Sequence, residues 1–346
     1  MNLLPINNIL KIVRIDEYSI TPKYLQLTNS ILQGVQSGQI KKDDILPSIN
    51  EFSYALETAR STIERAYNEL KRIGLVKSVA GKGFFIVHTQ FNLPVKVLLL
   101  FNKLSIHKKI IYDVFAATLG DNAAIDFYIY NNDFNVFKRL LTEKSENYSK
   151  CVIIPHFNEN KELGYKLIDT LPKEKLILMD KLADGITGNF GAVYENFEAD
   201  IFYALEELQE KLAKYHTLKL IFPKNTYYSK KILLGFLRFC QQYDFKYHII
   251  HSLDKEQVEC GAVYINLSEE DLLTLIEKTT KANLRPGNDI GIVSYNETPI
   301  KKFILDGITT ISTDFKMMGR KAAELVLKNS ADHIQIPFKV IMRNSL

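Results

Sequence analysis

The stretch that most constrains this 346-residue chain runs from Leu46 to Val87, LPSINEFSYALETARSTIERAYNELKRIGLVKSVAGKGFFIV. Ser48 can cap a helix over 49–56, in which Phe52, Ala55 and Leu56 share one face. Thr58 and Ala59 make a corner, and a second helix over 60–73 gathers Ile63, Ala66, Tyr67, Leu70 and Ile73 on its buried side. That burial leaves Arg60, Ser61, Thr62, Glu64 and Arg65 at an exposed helix start. Gly74 suits the left-handed residue just past a helix. Gly81 and Gly83 flank Lys82 between 75–79 and 84–87, which reads as a hairpin with a cationic tip. Such a unit can offer one helix start to a major groove and a lysine to phosphates or a minor groove. On spacing alone, an ordinary helical corner with a hairpin is the alternative.

LPSINEF, ARSTIERAYNELKRIGLV and GKGFFIV resemble the winged helix-turn-helix of GntR-type bacterial regulators over residues 20–88. The resemblance implies DNA contacts from Ser48, Asn50, Arg60, Ser61, Thr62 and Arg65, with Lys82 and Gly83 in the wing. Asn50 and Glu64 depart from the family pattern, which often has arginine at both places.

A chain of this length is too long for one ordinary core and suits two or three domains. Net charge is only +4, and residues 1–90 carry 11 Lys and Arg against 8 Asp and Glu, so most of the excess lies in the first quarter. Cys151, Cys240 and Cys260 lack metal-ligand spacing and read as reduced thiols. With neither a signal peptide nor an 18-residue apolar run, a cytoplasmic protein is expected.

Ahead of the helix-turn-helix, residues 9–15 read as an extended segment and Pro22–Ser37 as a packing helix. After it, a polar connector over 89–94 leads into VKVLLLF, Val95–Phe101, a run suited to a strand buried on both faces. Apolar runs then alternate with helical periodicity: strands at 125–130, 151–155, 176–179, 218–222, 246–250, 262–266 and 290–295, and a final extended segment over 334–342. The helices between them include a long one over 197–214 and another that Asp314 caps. This rhythm predicts an α/β fold with right-handed crossovers and parallel sheets, in two lobes that hold a ligand beyond the carboxyl ends of the strands. The expected domains are 1–88, a linker over 89–94, and 95–346.

DIGIVSYNETP and GITTISTDFKMMGRKAAELVL, over 289–328, resemble the C-terminal part of LacI/GalR-type effector domains, and the likeness extends loosely over 95–346. It implies a Rossmann-like, periplasmic-binding-protein-like body of two lobes that dimerises and holds a small molecule, commonly a sugar. Together the two resemblances give an AraR-like arrangement, a GntR head on a LacI-type body. The operator partner implied is double-stranded DNA, bound by a homodimer. No cofactor and no metal are expected.

Side chains at strand ends are the ligand candidates: Phe101, Asn102, His156, Asp180, Lys181, Asn266, Asn296 and Glu297. Asn296 and Glu297 occupy the two positions where the resemblance has paired aspartates. Lys231 joins them, because the family's ligand-clamping arginine is replaced by Ile232 and only Lys230 and Lys231 lie nearby. Asn and Asp after a strand also serve simply as turn residues. The sequence contains no GxGxxG, GxxxxGK[ST], HExxH or GxSxG pattern at a strand-to-helix turn. The reading is therefore a DNA-binding regulator, most simply a repressor, controlled by a monosaccharide. A nucleobase, an amino acid or another metabolite is the alternative effector, and an enzyme with a vestigial head the remaining one.

Overall fold

The computed structural model describes residues 6–88, 95–224 and 226–346. The expected linker over 89–94 lies outside them. The chain divides into two compact units. The first runs to Leu100 and takes in Leu119–Ile129 and Lys144–Cys151; the second comprises Phe101–Thr118, Tyr130–Glu143 and Val152–Leu346.

The first unit begins with α1 (Ile6–Ile12), α2 (Lys23–Gln36), β1 (Ile45–Leu46), α3 (Ile49–Ala55), α4 (Arg60–Arg72), β2 (Val76–Val79) and β3 (Gly83–Ile86). The sequence suggested an extended segment over 9–15, but most of it belongs to α1. Helix spacing explains this, since Ile9 and Val13 are four apart and both enter the core of α2, α3 and α4. Helix α3 starts with a full capping box: the Glu51 N–H donates to Ser48 Oγ, and the Ser48 N–H donates to Glu51. Gly74 closes α4 with φ +74°, a conformation that a side chain resists. The small sheet runs β1-β3-β2 and is antiparallel, pairing Ile45 with Phe85 and Val76 with Ile86.

Strands β4 (Val95–Phe101), β5 (Ala123–Ile129) and β6 (Lys150–Ile153) stand side by side in the order β6-β4-β5. Between them in the chain come α5 (Ile106–Leu119) and α6 (Phe134–Lys144). The second unit continues with α7 (Lys161–Asp169), β7 (Leu176–Asp180), β8 (Gly191–Tyr194), α8 (Phe197–Glu207) and α9 (Gln209–Leu212). It then runs through β9 (Thr217–Ile221), α10 (Lys230–Gln242), β10 (Lys246–Ile250), β11 (Ala262–Asn266) and α11 (Glu269–Lys281). The last elements are β12 (Gly291–Tyr295), β13 (Thr309–Thr313), α12 (Phe315–Lys328), β14 (His333–Gln335) and β15 (Phe338–Ile341).

One six-stranded sheet has the order β10-β9-β11-β12-β13-β15, parallel except for its last strand. A parallel set β14-β8-β7 belongs to the other lobe. The final extended segment is thus two strands, one in each lobe's sheet. The helix expected over 197–214 breaks at Leu208, and β8 was not foreseen. Helices α8 and α10 pack closely enough that a Cβ on Gly235 would overlap the Glu198 carbonyl. Phe202, Leu205, Phe236 and Phe239 fill the core beneath them. The result is an α/β protein with a winged helix-turn-helix and a parallel-sheet, two-lobe body. No helix of the described residues is long and apolar enough to cross a membrane.

Candidate nucleic-acid interface and effector cavity

Burial of Ile63, Ala66, Tyr67 and Leu70 fixes which side of α4 faces outward. Arg60, Ser61 and Arg65 are exposed and Thr62 is half-buried. The residue before the helix, Ala59, offers no side-chain cap, so the first backbone N–H groups have no side-chain acceptor at the N-cap. Arg60 Nε reaches Glu64 Oε1 at 3.1 Å, so Glu64, a departure from the family pattern, orients the arginine. Arg65 lies over the Tyr24 ring, 3.8 Å from its centroid, and donates to the Tyr24 hydroxyl at 3.1 Å. Ser48 and Asn50 are exposed at the start of α3. Lys82 and Gly83 are exposed at the hairpin tip, where the Lys82 N–H donates to the Val79 carbonyl. Gly81 and Gly83 carry φ +70° and +101°, which makes the tight tip possible.

A cavity of about 550 Å³ opens within the second unit, at the carboxyl ends of strands from both lobes. Of the strand-end candidates, Asn102, His156, Asp180 and Asn296 line it. Asp180 and Asn296 both hold left-handed backbone, φ +77° and +64°, at the ends of β7 and β12. The others lie off its wall. Phe101 is fully buried at the end of β4. The Lys181 ammonium sits over the Tyr165 ring, and Lys231 is exposed on the first turn of α10. Asn266 is buried and ties Ser294 to the Ser268 carbonyl. Glu297 is gripped by Arg343 and by the Thr310 hydroxyl.

Several lining residues were not picked from the sequence: Lys108, Glu195, Tyr227, Tyr295 and Lys301. Lys108 lies in the first turn of α5 and pairs with Asp180, whose Oδ2 is also 3.2 Å from His156 Nε2. Burial works to raise the Asp180 carboxyl, but Lys108 and His156 outweigh it and hold it well below the usual aspartate range. Burial pushes His156 down to about 4 and His107 to about 3, so both rings are neutral at neutral pH. Burial, helped by the Asp180 charge, drives the Glu195 carboxyl well above its usual value. Burial also brings the Lys301 ammonium down to about 8; it donates to the carbonyls of Tyr295 and Asn296 at 3.1 and 2.6 Å.

Among the described residues no cluster of His, Cys, Asp and Glu has the makings of a metal site. On the cavity wall the Ser105 hydroxyl lies 3.2 Å from the ring nitrogens of His107.

Fold and site define a two-part architecture, a winged helix-turn-helix head and a two-lobe body with a cavity at its strand ends. The similar proteins fall into two sets, relatives of the head and structures that share the fold of the rest. Residues 23–86 match the bacterial regulatory proteins of the gntR family. The arabinose metabolism transcriptional repressor of Geobacillus stearothermophilus is 37% identical over 65 residues, 19% of this chain and 18% of that protein. The HTH-type transcriptional repressor YtrA of Bacillus subtilis is 32% identical over 74 residues, 21% of this chain and 57% of its own length. The chain therefore covers less than two thirds of either relative. The lac repressor dimer, bound to operator and the anti-inducer ONPF, superposes on 73% of this chain and 94% of its own, with a TM-score of 0.61 and 14% identity. At that identity the likeness is one of fold. The chain joins a winged helix-turn-helix head that matches the gntR family to a body with the fold of the lac repressor.

Proposed function

We propose that the chain is a transcriptional regulator, a repressor, whose affinity for an operator is set by a small molecule held in the strand-end cavity. The observation that carries the reading is the pairing of a GntR-type head with a polar cavity on a LacI-like fold. The head is residues 1–88, the linker 89–94 and the effector and dimerisation domain 95–346. Ser48, Asn50, Arg60, Ser61, Thr62 and Arg65 face the major groove or its phosphates, and Lys82 and Gly83 the backbone or minor groove. Two copies present paired α4 helices to a pseudo-palindromic site. The effector is a monosaccharide, and Asn102, His156, Asp180 and Asn296 contact it; the protein acts in the cytoplasm and catalyses nothing. Relief of repression requires that the effector bind the two conformations unequally.

The test is selection of duplex DNA from a random pool by the full chain, followed by titration at several salt concentrations. Affinity for the selected sequence should fall steeply with salt, and Arg60→Ala should weaken binding by about tenfold or more. A chain that enriches no sequence, or whose enrichment survives Arg60→Ala unchanged, would remove the DNA reading. A monosaccharide that releases the selected DNA would support repression; one that tightens binding would make the protein an effector-dependent binder instead.

A further inference from the structure

The cavity's charged groups are already committed in a way that says which ligands it can accept. Three lysines line it, and each has a partner or a perch. Lys108 is paired with Asp180. Lys301 donates to two backbone carbonyls. Lys103 holds its ammonium 4.4 Å from the centroid of the Tyr227 ring. Among the described residues no arginine lines the wall, so the two-pronged grip that suits phosphates and carboxylates is missing there. Glu269 and Glu270, in the first turn of α11, add two carboxylates to the rim.

The uncommitted polar atoms point the other way. Glu195 Oε2, Asn102 Oδ1, Asn296 Oδ1 and the Tyr295 hydroxyl are buried with no hydrogen-bond partner among the described residues. Glu195, Asn102 and Tyr295 are 7%, 0% and 4% exposed, so bulk water does not satisfy them. The amide oxygens are acceptors only, and the Asn102 amide is fixed in orientation because its Nδ2 donates to Asn132. Unpaired buried polar atoms cost free energy, and because Asn102, Glu195, Tyr295 and Asn296 all line the cavity, a small side-chain turn that presents one of these atoms to a ligand hydroxyl recovers it. A phosphate or carboxylate brings acceptors alone and adds negative charge beside Glu269 and Glu270.

We infer that the cavity selects uncharged, hydroxyl-rich ligands and rejects the phosphorylated or acidic forms of the same carbon skeleton. This rests on the reading above that the effector occupies the cavity. The Tyr227 and Phe315 rings, which also line it, provide apolar faces for the C–H side of such a molecule.

The experiment is calorimetric titration of the full chain with matched sets, each an aldose, its aldonate and its terminal phosphate: glucose, gluconate and glucose 6-phosphate, and the same for galactose, arabinose and ribose. The expected result is that one neutral member binds while its acid and phosphate bind at least about tenfold more weakly, and that Glu269→Gln with Glu270→Gln narrows the gap. A charged member that binds as tightly as its neutral parent, or tighter, overturns the inference and leaves the effector reading standing. Binding of a neutral member that Asn102→Ala and Asn296→Ala leave unchanged places the ligand elsewhere and removes both. Binding by no neutral member of the sets also overturns the inference.

Discussion

Thr21 and Phe127 are 106 residues apart, yet the Phe127 N–H donates to Thr21 Oγ1 at 2.9 Å, and Thr21 Oγ1 donates to the Ile125 carbonyl at 3.1 Å. The Ile20 N–H reaches the Phe127 carbonyl at 2.8 Å, so residues 20–21 lie along β5. Beside them Asp16 accepts from Lys144 and from the Tyr128 hydroxyl. Both sides of these contacts belong to the first unit, so the segment before α2 is bound to a strand of the body.

Thr21→Val keeps the shape and removes the acceptor. A lost hydrogen bond to a buried N–H costs about 1–3 kcal/mol, so exchange of the Phe127 amide with solvent should speed up about tenfold or more. Burial raises the Asp16 carboxyl, but Lys144, Tyr18 and Tyr128 outweigh it, leaving it below its usual value. Its contribution is therefore present above the unfolded aspartate value and lost as pH falls through the folded one. Unchanged exchange at Phe127 in Thr21→Val would show that the contact is not formed in solution.

Lys108 and Asp180 form a buried pair in the cavity, and removing one partner strands the other. Lys108→Met should destabilise the chain by about 3–5 kcal/mol, read from urea unfolding at pH 7. The double variant with Asp180→Asn should recover part of that loss, because no uncompensated charge is then left. Additive losses from the two substitutions would contradict the pairing.

His156 is held neutral by burial, with its pKa near 4. Below the unfolded histidine value, the unfolded chain takes up a proton that the folded chain refuses. Stability therefore rises with pH between about 4 and 6.5 and is lost as pH falls through that window, by about 3 kcal/mol at full extent. His107, pushed down to about 3, acts in the same direction. His156→Gln should flatten the dependence of melting temperature on pH over this window. An equally steep profile in the variant would mean that His156 is solvated.

The head was legible because its signals are local. A capping serine, an i, i+3, i+4 stripe and glycines at positive φ each act within a few residues, and the capping box and Gly74 hold as the sequence suggested. The strand rhythm was legible for the same reason, and it pointed to Asn102, His156, Asp180 and Asn296 on the cavity wall. Lys108 was not, since in sequence it is an ordinary helical lysine, and its burial depends on Asp180, 72 residues away. Glu195 was missed because β8 has only four residues and reads as loop, so no strand end marked it. Glu297 looked like half of a ligand-binding pair, but Arg343, 46 residues on, takes both its oxygens. Long-range pairing of charges is set by topology and leaves no trace in local pattern.

Ser48 has two roles that substitutions can separate. Its Oγ accepts the Glu51 N–H, while its exposed hydroxyl proton is left to donate to a phosphate. Ser48→Ala loses the cap and should cost about 1 kcal/mol of stability, seen as a lower melting temperature, with weaker DNA binding. Ser48→Asp keeps the cap, since aspartate accepts the same N–H, but sets a negative charge where the phosphate would lie. It should melt with the parent and yet bind the selected duplex worst of the three. If Ser48→Asp binds DNA as the parent does, Ser48 is a cap alone and the start of α3 lies away from the backbone.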